Sequence, residues 1–386
     1  MLSKQTIDTI KATVPVLEVH GLAITKTFYS NLFKDNPQLL NIFNHTNQLK
    51  NRQQTALANT VYAAAVHIEN LEAIVPAVVQ IAHKHVSLGI LPEHYPIVGK
   101  YLLAAIKEVL GDAATDEIID AWAQAYGMIA EIFISVEEDL YKAAENKGGW
   151  RLFKGFTIAK KVEESDVVTS FYLKPVDGSK LPAFSAGQYV SLRVEVPGQQ
   201  YLMNRQYTVS EGTDEYFRVS VKREDDSTPK GIVSTYLHNA EVGTNIQVSA
   251  PAGVFTLVEN DSPVLFISGG VGVTPLQSML QTIEGRKASF ILCARNERVA
   301  AFKETIEEKI ASLGGQFKAV YSETDGYLTK EQIKEMLEAN AEVYVCGPTV
   351  FMENVIQNLV DLGVASDKIH YEFFGAAMAL QIKTTA

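Results

Sequence analysis

Cysteine is nearly absent from this chain of 386 residues: Cys293 and Cys346 are its only two, far apart and without a metal-ligand spacing. That scarcity excludes a disulfide-stapled secreted scaffold and leads us to expect a reducing compartment. Basic charge is also short, with 34 Lys and Arg against 45 Asp and Glu, a net charge of -11. Attraction to phosphate backbones needs clustered cations, so no nucleic-acid partner is expected. Met1 to Thr6 has no apolar signal-peptide core, which points to the cytoplasm. Internal repeats and low-complexity tracts are absent. One long charge-free run, Ser262 to Ile283, is interrupted by Gly269, Gly270, Gly272 and Pro275. It reads as a buried strand, a loop and a buried helix, and no integral membrane segment is expected.

What is present is a chain long enough for two or three domains, with 47% hydrophobic residues to fill their cores. The patterning changes near Asn146-Lys147-Gly148-Gly149-Trp150. Before it the apolar spacing is helical: Ile7, Ile10 and Leu17; Leu22, Thr25, Tyr29 and Leu32; Gln53, Leu57 and Val61; Val78, Ile81, His85 and Leu88. Breaks are expected at Asn36-Pro37, Gly89 to Pro92 and Gly111-Asp112. After Trp150 come short alternating runs, Phe156 to Ile158, Val167 to Leu173, Tyr189 to Val196 and Phe217 to Val221, which predict a barrel or a sandwich. From about Ser262, strands at Val264 to Ile267, Ser289 to Ala294, Phe317 to Tyr321 and Val343 to Cys346 alternate with helical patterns, which predicts a doubly wound parallel sheet. The expected organisation is 1–146 all-α, 147–260 antiparallel β, and 261–386 α/β.

Chemistry concentrates in a few motifs. Gly269-Gly270-Val271-Gly272-Val273-Thr274-Pro275 follows the apolar run Val264 to Ile267, so its backbone N–H groups and the next helix start can hold a pyrophosphate. The spacing differs from the G-x-G-x-x-G dinucleotide fingerprint. In the β region, Arg205-Gln206-Tyr207-Thr208 places a guanidinium and a phenol on one strand face. Such a pair suits a pyrophosphate and a flat ring, with Ser234 at a helix start offering further donors; an ordinary exposed strand fits the same residues. His85 on its apolar face fits an axial metal ligand or a satisfied core histidine.

In this order, Arg205-x-Tyr207-Thr208, Gly270 to Pro275, Cys346-Gly347-Pro348 and Tyr371-Glu372-Phe373-Phe374-Gly375 resemble the ferredoxin-NADP reductase superfamily. The resemblance implies that FAD is bound by Tyr189, Arg205, Gln206, Tyr207, Thr208, Val233, Ser234, Phe373, Phe374, Gly375 and Ala376. Phe374 would cover the isoalloxazine and Glu372 would tune its potential. NAD(P)H would meet Gly269, Gly270, Val271, Gly272, Val273 and Thr274, with Cys346, Gly347 and Pro348 lining the nicotinamide site.

Upstream, Tyr29, Phe43, Gln53, Leu57 and His85 resemble the distal tyrosine, ring-wedging phenylalanine, distal glutamine, distal leucine and proximal histidine of bacterial globins. A globin joined to such a reductase is similar to the flavohaemoglobin family. The resemblance implies three modules: an all-α globin with haem b, an antiparallel β-barrel for FAD and a doubly wound NAD(P)-binding domain. It further implies that Tyr95 and Glu137 hydrogen-bond His85, that Tyr29 donates to bound oxygen, and that Lys84 influences the redox potentials. Taken alone, Glu137 would read as a solvated helix end and Tyr95 as plain core.

The implied activity is nitric oxide dioxygenase, in which NAD(P)H reduces FAD, FAD passes single electrons to haem, and O2 oxidises NO to nitrate. Small molecules are the expected partners and a monomer the expected state. Two other readings share the motifs: an oxygen store or NO sensor, and a flavin reductase acting on ferric chelates, quinones or cytochromes. Arg295 and Arg298 suit either a 2′-phosphate or solvent, which leaves the coenzyme open. Thr208 stands where the family often has Ser, and no Pro follows Gly375.

Overall fold

The structure, a computed structural model, describes residues 2–225, 228 and 230–375. The chain divides into two compact units, Met1–Phe153 with Arg193–Arg205, and Lys154–Leu192 with Gln206–Gly375.

The first unit is built on helices α1 (Lys4–Ala12), α2 (Val14–Asp35), α3 (His45–Leu49), α4 (Arg52–Val66), α5 (Val75–Leu88), α6 (His94–Leu110) and α7 (Asp116–Asn146). Local chemistry sets their ends. Ser3 accepts the Thr6 amide to start α1, and Thr115 accepts the Ile118 amide to start α7, whose first turn carries Asp116 and Glu117 against its positive end. Asn36 closes α2 ahead of Pro37, and Gly89 closes α5 in the left-handed region. One core gathers Ile10, Leu17, Ile24, Phe28, Tyr29, Leu32, Leu102, Ile106 and Trp122. A second gathers Val78, Tyr95, Ala130 and Phe133, with Tyr126 packed against both. Along α7, Phe133, Glu137 and Tyr141 recur at four-residue spacing and are all buried.

One residue of the expected α2 stripe is misplaced. Leu22 is exposed, because the buried face runs Leu17, Gly21, Ile24 and Thr25, Phe28 and Tyr29, Leu32, and Leu22 lies outside that arc.

The second unit holds most of a closed barrel of strands β1 (Phe153–Glu163), β2 (Val168–Pro175), β3 (Tyr189–Val194), β4 (Met203–Gly212), β5 (Phe217–Lys222) and β6 (Asn245–Ser249). Their order around it is β1-β2-β5-β4-β3-β6, so the choice between barrel and sandwich resolves to the barrel. Helix α8 (Ile232–Asn239) lies between β5 and β6 in sequence. A parallel sheet follows, formed by β7 (Val264–Gly269), β8 (Ala288–Ala294), β9 (Phe317–Tyr321), β10 (Glu342–Cys346) and β11 (Ile369–Glu372), with helices α9 (Val273–Thr282), α10 (Lys303–Ser312), α11 (Lys330–Met336) and α12 (Thr349–Asp361). Strand order β11-β10-β7-β8-β9 places the topological switch between β7 and β10. The charge-free run becomes β7, a turn and α9, and Val273 to Leu280 are all buried. Among the described residues no helix is long and apolar enough to cross a membrane. Strand β11 was not expected, since four residues with His370 and Tyr371 partly exposed carry no alternation signal at a sheet edge.

Glu342 ties the lower rim of this sheet. It is buried at the start of β10 and accepts from His370 Nε2 at 2.8 Å, Lys368 Nζ at 3.0 Å and Asn260 Nδ2 at 3.0 Å. Burial pushes its carboxyl up, but the hydrogen bonds from His370, Lys368 and Asn260 win and hold it at about 2. A depressed folded pKa gives stability present above the ordinary carboxylate value and lost as pH falls through the folded one. We therefore expect the unfolding midpoint in urea to fall between about pH 4.5 and pH 2, with a shallower fall in Glu342→Gln. Equal slopes in the two proteins would contradict this role.

Candidate functional site

In the helical unit, the expected residues form two clusters. His85, one turn before Gly89 on α5, has its Nδ1 2.6 Å from Glu137 Oε1 and 3.2 Å from Tyr95 Oη. Tyr95 donates to the same carboxylate oxygen at 2.5 Å. Phe133, one turn before Glu137, lies against the imidazole with ring centres 5.7 Å apart. Glu137 is only 2% exposed, so the solvated-helix-end reading is excluded. Its second oxygen is buried without a partner among the described residues.

A buried carboxylate with one unbonded oxygen draws strongly on the His85 and Tyr95 protons, because little else offsets its charge. Burial and the adjacent Glu137 charge push the Tyr95 hydroxyl far above its usual range, so it stays a donor. His85 thus has Nδ1 fixed as N–H, and Nε2, its free lone pair, makes no hydrogen bond among the described residues. That arrangement suits a metal ligand. A single imidazole suits a metal that brings its own ring of ligands; among the described residues no group of three or more His, Cys, Asp or Glu is placed to hold a metal ion. Tyr141 donates to the Ile90 carbonyl at 2.9 Å and anchors the end of α5. Lys84 neighbours His85 on that helix, and its carbonyl accepts from Ser87 Oγ at 2.8 Å.

The second cluster is aromatic. Tyr29 is buried, and Phe43 meets it edge-on at 5.8 Å, while Phe33 stacks on Tyr29 at 5.6 Å and meets Phe43 at 5.1 Å. Burial pushes the Tyr29 hydroxyl well above its ordinary value, and that hydroxyl has no partner among the described residues. Leu57 joins the same core. Gln53 is held by Gln48, whose Nε2 donates to its Oε1 at 2.8 Å. Sequence reasoning missed Phe33, for which the four-residue spacing from Tyr29 was the available signal.

Two more groups follow the helical part of the chain. Arg205, Gln206 and Tyr207 are half-buried on β4, with Arg205 and Tyr207 on one strand face; Arg205 ends the segment that belongs to the first unit, and Gln206 begins the second. Thr208 is buried beside Thr274, and Ser278 donates to the Val209 carbonyl at 2.9 Å, so β4 abuts the glycine loop and α9. Tyr189 is buried and pairs with Ala252. Ser234 does not offer its hydroxyl outward as expected: it donates to the Gly231 carbonyl at 3.0 Å. What α8 leaves for an anion is its own first-turn N–H groups, since no side chain caps it and no acid sits there; Val233 beside Ser234 is buried.

Likewise α9 has no side-chain cap and no acid in its first turn. Val271 supplies a carbonyl to Thr274 Oγ1 at 3.0 Å. Gly270 has φ of 55°, the left-handed region, and a Cβ on Gly272 would stand 2.3 Å from the Cys346 carbonyl oxygen. The glycines therefore let the β7 and β10 loops close on each other at the switch point, which brings Gly269 to Thr274 beside Cys346, Gly347 and Pro348. Cys346 and Glu372 are partners in the β10–β11 register, and Glu372 is buried. Phe373 is half-buried, Phe374 is 48% exposed, Gly375 ends the described chain, and Ala376 lies outside the described residues. Burial pushes the Cys293 thiol up to about 12 and raises Cys346 too, so neither serves as a thiolate. Phe351, unflagged by the sequence, packs where Cβ atoms on Gly269 and Gly347 would go.

The globin family model matches residues 26–133, the oxidoreductase FAD-binding domain model 156–257 and the oxidoreductase NAD-binding domain model 266–357. The flavohemoprotein of Bacillus thuringiensis subsp. konkukian is 48% identical over 408 aligned residues, covering 99% of this chain and all of the relative. The crystal structure of the flavohemoglobin from Malassezia yamatoensis, with bound FAD and heme, superposes with a TM-score of 0.85 at 29% identity, covering 97% of this chain and 100% of that one. The flavohem-like FAD/NAD-binding domain of the nitric oxide dioxygenase from Vibrio cholerae superposes at 0.52 with 35% identity, covering 57% and 97%.

Gly272→Ala is expected to force the two loops apart, lowering stability by roughly 1–3 kcal/mol and weakening dinucleotide binding. A urea titration and a nucleotide titration check this; an unchanged midpoint would show that the loops tolerate the methyl.

Proposed function

The chain belongs to the flavohaemoprotein family, and we propose that it is a nitric oxide dioxygenase that converts NO to nitrate with electrons from NAD(P)H. We read 1–146 as the haem domain, 147–260 as the FAD domain and 261–386 as the nucleotide domain. When bound, the haem supplies an iron that changes charge by one electron and takes a diatomic ligand, and the flavin splits the hydride pair of NAD(P)H into single electrons.

The observation that carries the reading is the protonated Nδ1 of His85 held by the buried Glu137, with Nε2 unbonded. His85 would hold the iron, and Glu137 with Tyr95 would enrich its imidazole in electron density, which favours oxygen activation over simple storage. Tyr29 has a hydroxyl to donate in an apolar setting, where one hydrogen bond to developing negative charge has most effect. Phe43, Leu57 and Gln53 would shape the pocket, and Lys84 and Glu372 would set the potentials of haem and flavin. Arg205 would hold the FAD pyrophosphate. The N–H groups at the start of α8, beside Val233 and Ser234, suit an anion in their own right. Tyr189, Gln206, Tyr207, Thr208 and Phe374 would position its ring. Gly269 to Thr274 would take the NAD(P)H pyrophosphate, and Cys346 to Pro348 would border the nicotinamide. The Malassezia relative binds FAD and haem and the Vibrio relative is named a nitric oxide dioxygenase, both in keeping with this assignment. A cytoplasmic monomer remains our reading of the assembly.

His85→Ala is expected to retain flavin reduction by NADH while NO-dependent nitrate formation falls to background; persistence of nitrate formation would exclude the haem route. Coenzyme choice has a structural lead as well. Arg295 faces Glu323 at 3.5 Å, Asn296 donates to Glu323 at 2.9 Å, and Arg298 pairs with Asp166 at 2.7 Å. A 2′-phosphate near these arginines would have to compete with carboxylates, a like-charge cost. The ratio kcat/KM should therefore favour NADH over NADPH by about tenfold or more, and a ratio favouring NADPH would overturn this.

A further inference from the structure

One buried amide links the residues assigned to haem with those assigned to FAD. Asn204, the second residue of β4, is 2% exposed. Its Nδ2 donates to the Asn41 carbonyl at 2.7 Å and to the Ile42 carbonyl at 3.1 Å. These carbonyls stand at the end of the 3-10 turn Pro37–Asn41, where carbonyls find no partner inside the turn, so the amide satisfies groups that would otherwise be orphaned. Asn41 completes the exchange: its Oδ1 accepts the Leu202 amide at 2.9 Å, while its Nδ2 donates to the Gln38 carbonyl at 2.9 Å. Beside them the rings of His45 and Tyr201 meet edge-on, 6.1 Å apart. All of these residues fall in the first compact unit, which includes Arg193–Arg205.

Asn204 has a second attachment. Its own carbonyl accepts from Arg205 Nη1 at 2.7 Å, so the guanidinium assigned to the FAD pyrophosphate is oriented by the residue whose side chain grips the helical turn. At the other end, the Ile42 carbonyl belongs to the peptide that leads into Phe43, whose ring meets Tyr29 and Phe33. A buried strand position is ordinarily apolar, as at Met203 beside it. Here an amide stands instead, with its Oδ1 buried and unpartnered among the described residues. That oxygen destabilises the fold. Two N–H bonds to one turn offset it, and they exist only while β4 and that turn keep their spacing.

We propose that Asn204 and Asn41 form a positioning clamp for electron transfer from flavin to haem. The proposal rests on the assignment of the two cofactors given above. In that step the reduced flavin loses one electron and ferric iron gains it, becoming ferrous. Neither asparagine touches the reacting atoms. The clamp fixes the segment entering Phe43 against the strand that carries Arg205, so that a wall of the ligand pocket and the anchor of FAD hold one spacing, and small losses of positioning cost large factors in rate. Hydride transfer from NAD(P)H to the flavin draws instead on Gly269 to Thr274 and Cys346 to Pro348, which the clamp does not hold.

Stopped-flow mixing of the ferric holoprotein with NADH under CO separates the two steps, because flavin bleaching and the Soret band of the ferrous CO form are read at different wavelengths. Asn204→Leu removes the donors at similar volume and keeps the main-chain carbonyl that holds Arg205. In it, flavin bleaching is expected at the wild-type rate and iron reduction about tenfold slower or more. Asn41→Leu, which removes the acceptor for Leu202 on a half-buried turn, should slow iron reduction in the same way, and Asn41→Asp, which keeps that acceptor, should recover most of the rate. The Asn41 pair decides the matter even where Asn204→Leu fails to fold. Independently of turnover, the flavin fluorescence lifetime, shortened by energy transfer to haem, should lengthen in both leucine variants and stay unchanged in Gln199→Ala, an exposed position between β3 and β4. Iron reduction at the wild-type rate in the leucine variants, or equal slowing of bleaching and iron reduction, overturns the clamp. A wild-type protein without a Soret band, or with a flavin that NADH does not bleach, contradicts the cofactor assignment instead.

Discussion

A single hydrogen bond organises the helical unit: the one from His85 Nδ1 to the buried carboxylate of Glu137. Burying that charge is unfavourable unless its oxygens are matched by donors, and the helices supply two, from His85 and Tyr95, to the same oxygen. The geometry needs α5 to end at Gly89, α6 to begin near Tyr95, and α7 to run without interruption so that Phe133, Glu137 and Tyr141 stay on one face. In return the carboxylate fixes the imidazole tautomer and leaves Nε2 as the one uncommitted nitrogen. Everything assigned to the haem domain presupposes that nitrogen.

In the second unit the governing constraint is backbone approach. A doubly wound sheet opens a crevice where strand order reverses, and here that crevice is flanked by the ends of β7 and β10. Only small residues let the two turns come as close as Gly272 and Cys346 do. The crevice is also joined to the barrel, because Ser278 of α9 donates to the Val209 carbonyl of β4. On the proposed assignment a nucleotide at α9 and a ring against β4 would share that wall, as hydride transfer requires, and the first turn of α9 carries no charged side chain.

Much of this was legible in the sequence because the signals were periodic or stereochemical. The helical spacing that carries His85, the glycines after an apolar strand, and the alternation of Arg205 with Tyr207 each follow from backbone geometry. What escaped notice depended on the opposite partner. Leu22 lay within the apolar pattern yet faces out, because the arc of α2 that is covered is decided by α4 and α6. The Ser234 hydroxyl looked free until the Gly231 carbonyl was seen to take it. Phe351 carried no local signature at all, and β11 was too short to alternate. The burial of Glu137 was implied by family resemblance alone, and the structure supplies its physical reason in the Tyr95 and His85 donors.

The central proposal is that the Glu137 carboxylate enriches His85 and so the iron that His85 would hold. The most direct measurement is the iron–imidazole stretching frequency of the ferrous, ligand-free protein by resonance Raman spectroscopy, compared between wild type and Glu137→Gln. The account predicts a lower frequency in the variant, because the neutral amide no longer draws the Nδ1 proton. An identical frequency in the two proteins would contradict it.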